Sequence, residues 1–243
     1  EMKSTYTILV PTMLPLHFRI LCQMFKNDGY NAVLLNDRGP EIAELGLKYV
    51  HNDTCYPALL VIGQFMKALQ SGQYDPHKVA LLLFQTGGGC RASNYISLLR
   101  KALANAGMAY VPVIPMGVAG YETHPGFQLS MGQLHKFLYA LTYGDLLMSL
   151  THQLRPRELH PGDADALADR WTDRIVAELD GARRISYPKI RKNYDRILAD
   201  FAKIPVDETK KPLPVGVVGE IYVKFSPLGN NDLEAFLTRE GAE

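Results

Sequence analysis

Val79-Ala80-Leu81-Leu82-Leu83-Phe84-Gln85-Thr86-Gly87-Gly88-Gly89-Cys90-Arg91-Ala92-Ser93-Asn94-Tyr95 is the stretch that decides the fold. Its first six residues are continuously apolar. A strand of that kind is buried on both faces, as in a parallel sheet covered by helices. Three glycines end the run, and helical spacing takes over from Ala92 to Ala106 until Gly107 stops it.

The same alternation extends to both sides. Tyr6 to Val10 reads as a buried strand. Leu16 to Asp28 reads as a helix, with Phe18, Leu21, Cys22 and Phe25 on one face and Gly29 as its stop. Ala32 to Leu35 is a second strand, Glu41 to Gly46 a short helix, Pro57 to Leu69 a longer one, and Tyr110 to Ile114 a further strand. Strands alternating with helices predict an α/β, Rossmann-like (flavodoxin-like), doubly wound parallel sheet with right-handed crossovers over residues 1–127.

From Gln128 the pattern turns helical. Gln128 to Thr151, Ala164 to Leu179 and Lys189 to Lys203 make a helical segment over 128–204, with Asp163 as the expected N-cap of the middle helix. Residues 205–214 form a polar, proline-bearing connector. Val215 to Phe225 returns to strand chemistry, and Asn231 to Glu240 is helical. That reading makes 215–243 the first βα unit of a second α/β lobe. A further strand is expected after Glu243, so the chain reads as a piece of a longer polypeptide.

Composition narrows the function classes. The 243 residues carry 26 basic and 25 acidic side chains and a formal net charge of +1. That balance argues against a broad nucleic-acid surface. The longest apolar runs have the length of strands, far short of a membrane span, and residues 1–5 show no signal-peptide pattern. Three cysteines do not make a disulfide framework. The expected setting is cytoplasmic and reducing, without membrane or nucleic-acid partners.

Two cysteines stand in loops immediately before helices, Cys55 in His51-Asn52-Asp53-Thr54-Cys55-Tyr56-Pro57 and Cys90 in the glycine loop. Loops at the carboxyl ends of neighbouring strands in an open α/β sheet converge on one crevice. A helix N-terminus and the adjacent Arg91 favour thiolate there. Thiolates bind iron–sulfur clusters or zinc, or act as redox nucleophiles. Cys22, on the apolar face of its helix, reads as core. Asn52 and Asp53 read as loop-capping groups. Glu220 and Lys224 read as an ion pair or strand-end contact, or as site residues. Other motifs are missing. Gly87-Gly88-Gly89 lacks the Walker lysine and the dinucleotide glycine spacing. No Gly-x-Ser-x-Gly elbow, CxxC pair or HExxH helix occurs.

Together, the Asn52-Asp53-Thr54-Cys55-Tyr56-Pro57 run, the glycine–cysteine run through Tyr95 and Val215 to Phe225 resemble the 2-hydroxyacyl-CoA dehydratase superfamily. The likeness is nearest to the dehydratase-like region of long bacterial proteins known as (R)-2-hydroxyglutaryl-CoA dehydratase activators or acyl-CoA dehydratase activase-related proteins. The resemblance implies Rossmann-like lobes around an iron–sulfur cluster, either [4Fe-4S] or a double cubane, and oxygen-sensitive, anaerobic electron transfer. It implies an actin-like ATPase activator module as partner, on the same polypeptide or a separate one. An acyl-CoA substrate and a dimer of similar subunits are further implications. It places Cys55 and Cys90 on cluster-ligand positions. Gly88 and Gly89 would let the backbone approach, while Arg91 and Asn94 would orient the loop or donate hydrogen bonds to sulfur. The family also supplies at least one later cysteine, and none follows Cys90 in this chain.

Three functions are therefore open on the sequence. The first is part of an iron–sulfur reductive dehydratase or reductase. The second is a non-catalytic electron-transfer or docking module. The third is a zinc- or ligand-binding α/β domain without redox chemistry.

Overall fold

The apolar run at residues 79–84 forms strand β3 of a four-stranded, all-parallel sheet with the order β2-β1-β3-β4. The computed structural model describes residues 2–117, 126–127, 130–180 and 185–243. Along the chain, a short helix α1 (Met2–Thr5) precedes β1 (Thr7–Pro11), α2 (Pro15–Asn27) and β2 (Asn31–Leu35). Then come α3 (Pro40–Tyr49), α4 (Tyr56–Gln70), β3 (Val79–Phe84), α5 (Tyr95–Asn105) and β4 (Val113–Met116). Helices α6 (Met131–Leu154), α7 (Asp163–Asp180) and α8 (Tyr187–Phe201) follow, and the chain closes with α9 (Ile221–Phe225), α10 (Pro227–Asn230) and α11 (Leu233–Arg239). No helix among the described residues is long and apolar enough to cross a membrane.

These elements fall into two units. One comprises residues 1–13, 25–128 and 220–231, the other 14–24, 129–219 and 232–243. The first unit is the Rossmann-like α/β body. The step from β1 to β2 runs opposite to the steps from β2 to β3 and on to β4, so right-handed crossovers place helices on both faces. Burial follows that geometry. Leu9, Val79, Leu81, Leu83 and Val113 join one core cluster with residues of α3, α4 and α5. Their strand neighbours Ile8, Val10, Ala80, Leu82 and Ile114 are also buried, on the opposite face.

Helices α3 and α4 pack backbone to backbone. A Cβ added at Gly46 would stand 2.1 Å from the Leu59 carbonyl oxygen, and one at Gly63 would stand 2.0 Å from that of Ile42. No side chain fits at either crossing point, which explains two glycines in otherwise good helices.

The second unit is helical. Ser130 and Gln133 form a reciprocal capping box that starts α6. Gln128 and Leu129, where the helical sequence pattern begins, lie outside the described residues. Helix α7 starts differently from expectation: Asp163 is its first helical residue. The capping role falls to buried Glu158, whose carboxylate accepts from the Gly162 N–H at 2.6 Å and the Ala164 N–H at 2.9 Å.

The strand expected over Val215 to Phe225 is not formed. Residues 214–219 carry no regular structure, and Ile221–Phe225 is helix α9. Glu220 initiates that helix by accepting the Val223 N–H at 2.9 Å. Tyr222 then buries its ring in the α/β core, and burial pushes its hydroxyl up to about 12. Tertiary burial thus overrides the β preference of Ile221 and Val223. Strand β4 is displaced from Tyr110 to Ile114 onto Val113–Met116, because Val111 closes a turn onto Met108 before the ladder begins.

Candidate functional site: a two-thiol edge on the α/β unit

Both loop cysteines occupy the residue that opens a helix. Cys55 is the N-cap of α4, with Pro57 behind it in the first turn. No strand leads into Cys55: its loop joins α3 to α4. Cys90 follows β3 and caps a 3-10 turn, Arg91–Asn94, that runs into α5. The Cys90 sulfur accepts from the Ala92 N–H at 3.4 Å. Cys55 is half-buried, Cys90 is exposed and Cys22 is buried as expected of core.

Two contacts bind the loops together, across 38 and 40 residues of sequence. The Arg91 guanidinium donates to the Asp53 carbonyl oxygen at 2.6 Å. The Tyr95 hydroxyl lies 3.1 Å from the Cys55 sulfur. Within the glycine loop, the Gln85 side-chain amide donates to the Ser93 carbonyl at 2.6 Å, tying the end of β3 to the turn before α5. Asp53 also sits 3.2 Å from His51, an exposed pair within one loop.

Tyr95 is the residue that pattern reading passed over. Burial raises its hydroxyl well above the ordinary tyrosine range. The Cys55 thiol, Glu220 and Cys90 raise it further, so all three lie within electrostatic reach of one oxygen. A tyrosine so placed stays protonated, and either partner of its contact with the Cys55 sulfur can be the donor. Its only sequence signal is its position as the last residue of the glycine–cysteine run and the first of α5.

The remaining expected site residues behave unequally. Gly88 has φ +82°, which only glycine adopts freely, while Gly89 does not need that freedom. A Cβ on either would meet nothing within 4 Å, so both backbones are open on their Cβ side. Arg91 holds the facing loop through its carbonyl instead of reaching a sulfur. Asn94 is exposed and makes no side-chain capping bond to α5. Glu220 caps α9, and Lys224 places its ammonium 5.0 Å from the centre of the Phe225 ring, in place of a Glu220–Lys224 strand pair.

Two soft thiols beside bare glycine backbone suit a thiophilic metal centre in kind. In number they are a partial set: among the described residues, no group of three or more His, Cys, Asp and Glu side chains is placed to hold a metal ion. No protein-family model, curated protein or solved structure matches this chain, so its functional reading rests on this edge.

Proposed function

We propose that the chain supplies two thiolate ligands, Cys55 and Cys90, to an iron–sulfur centre of a reductive enzyme of the 2-hydroxyacyl-CoA dehydratase type. The observation that carries the reading is the joining of the two cysteine loops by Tyr95 and Arg91 at one edge of a parallel sheet. When bound, such a centre supplies low-potential electron transfer, the chemistry needed to remove water from a 2-hydroxyacyl-CoA or to perform a related reduction.

The chain's own residues have distinct tasks in this reading. Cys55 and Cys90 hold iron from two loops, with further donors coming from outside the described residues. Tyr95 donates to the Cys55 sulfur and thereby lowers the electron density on that ligand. Arg91 fixes the distance between the loops through the Asp53 carbonyl. Gly88 and Gly89 keep side chains away from the space beside Cys90.

The test is the protein isolated from its native host without oxygen. Iron and acid-labile sulfide in comparable amounts, with an EPR signal after reduction, are expected. Cys55→Ser and Cys90→Ser together should remove both iron and sulfide. Zinc without sulfide would sink the redox reading in favour of a zinc-binding domain. Cluster content unchanged in the double variant would show the ligands to be other residues.

A further inference from the structure

The two loop cysteines differ in access. Cys90 is exposed, whereas Cys55 is half-buried, with the Tyr95 hydroxyl 3.1 Å from its sulfur. Exposure decides which thiol meets a reagent from solution first. Cys22, the third thiol of the chain, is buried.

The backbone around the pair is held from both sides. Arg91, next to Cys90, donates to the carbonyl of Asp53, two residues before Cys55, at 2.6 Å. Tyr95 fastens the far end of the same turn onto Cys55 itself. The turn, Arg91–Asn94, is closed by the Ser93 N–H donating to the Cys90 carbonyl at 3.1 Å, and the Gln85 amide reaches the Ser93 carbonyl. On the other side of Cys90 stand Gly87, Gly88 and Gly89. A Cβ added at Gly88 or Gly89 would meet nothing within 4 Å, so the backbone beside Cys90 can shift without a side-chain clash. A disulfide needs Cα atoms within about 7 Å. The cross-loop contacts hold the two thiols as neighbours, and the glycines supply the adjustment that closes the bond.

We propose that Cys90 and Cys55 form a reversible disulfide, with exposed Cys90 as the attacking thiol and half-buried Cys55 as the resolving one. The oxidant is a small disulfide of the glutathione class. The Cys90 thiolate attacks one sulfur of glutathione disulfide, a mixed disulfide forms, and one glutathione thiolate leaves. The Cys55 thiolate then attacks the Cys90 sulfur, the second glutathione thiolate leaves, and the intramolecular S–S bond is made. Two electrons pass to the oxidant, and the two cysteine protons end on the two glutathione thiols. This chemistry needs no metal. Its consequence rests on the function proposed above: the disulfide takes both thiolates from the iron–sulfur centre at once, so the centre assembles only on the reduced chain.

The experiment exposes the metal-free, reduced protein to glutathione disulfide and reads the products by intact and peptide mass spectrometry. A monomer with one Cys55–Cys90 link and unmodified Cys22 is expected. Cys55→Ser should accumulate glutathione on Cys90, and Cys90→Ser should take up glutathione on Cys55 about tenfold more slowly. Stable glutathione on both cysteines of the unaltered protein, or a link between two chains, overturns the proposal. Faster capture by Cys55 than by Cys90 overturns the order of the two steps. Oxidation of protein isolated without oxygen, before and after removal of its iron, separates the switch from the cluster reading. Slower disulfide formation with iron in place supports both. A disulfide formed equally fast in the two samples supports the switch and removes Cys55 and Cys90 from the ligand set.

Discussion

The α/β unit and the helical unit solve the same problem with different materials. In the first, the strands bury apolar side chains and ladder hydrogen bonds satisfy the buried backbone, with Thr12, Gln64 and Ser226 the buried polar side chains around them. In the second, helices satisfy their own backbone, yet His17, Thr151, Glu158, Thr172 and Asn193 are all buried. Polar side chains there stitch one helix to the next. The Asn193 amide donates to the Tyr143 hydroxyl at 3.1 Å and to Glu178 at 2.7 Å. His17 pairs with Asp145 at 2.9 Å, its ring against Gly144. Arg19 links α2 to Asp169 and Asp173 of α7, and His152 of α6 with Arg155, the residue that ends it, holds Glu234 of α11. Shape specifies the α/β unit, and directional bonds specify the helical one.

The sharpest way to break this contrast is to attack shape. Gly63→Ala should destabilise the α/β unit by about 3 kcal/mol, against the usual helix gain of alanine over glycine, because its Cβ meets the Ile42 carbonyl. Chemical denaturation followed by tyrosine fluorescence would measure it; a stabilised protein would show that α3 and α4 can separate freely. Next in size is a loss of bonding without added volume. Asn193→Ala should destabilise the helical unit by about 2 kcal/mol, since Tyr143 and Glu178 both lose a buried donor. Exchange of α8 amides would report it, with the β3 amides unchanged.

A smaller effect is expected at a helix start. Glu158→Ala strips two N–H groups at the opening of α7 of their acceptor and should weaken that unit by about 1 kcal/mol. A loss confined to the first turn of α7 would agree; no change would mean that solvent replaces the carboxylate fully.

The last prediction concerns pH. Burial pushes the Glu234 carboxyl up, but His152 and Arg155 outweigh it and hold the group below its ordinary value of 4.5. A carboxyl lowered by folding contributes stability above its unfolded value, and the contribution disappears as pH falls through the lower folded value. Acidification below pH 4.5 should therefore loosen α11 and the end of α6, and Glu234→Gln should flatten that dependence. An unchanged acid midpoint in the variant would remove Glu234 from the account.

Much of this organisation was legible in residue order. The continuous apolar run at Val79–Phe84 announced a doubly covered strand, and the helical spacings of Phe18 to Phe25 and Leu59 to Leu69 located α2 and α4. Val215 to Phe225 misled because its β-branched residues carry the same composition as a buried strand. What decides there is the Glu220 cap and the pocket that receives Tyr222, and neither has a periodicity. The two cysteine loops were visible as motifs. Their joining was not, because a tyrosine hydroxyl meeting a thiol forty positions away leaves no mark on local spacing.

The paired glycines at the α3–α4 crossing have a consequence for the thiol edge. Helix α4 begins at the residue after Cys55, and Gly63 lies eight positions along from that cysteine. At 1.5 Å per residue the crossing is a fulcrum about 12 Å from the Cys55 backbone, so a tilt of about 5° there swings the sulfur by about 1 Å. That is enough to stretch its contact with Tyr95 out of hydrogen-bonding range. The aim of the Cys55 sulfur is thus set by two residues that have no side chain at all.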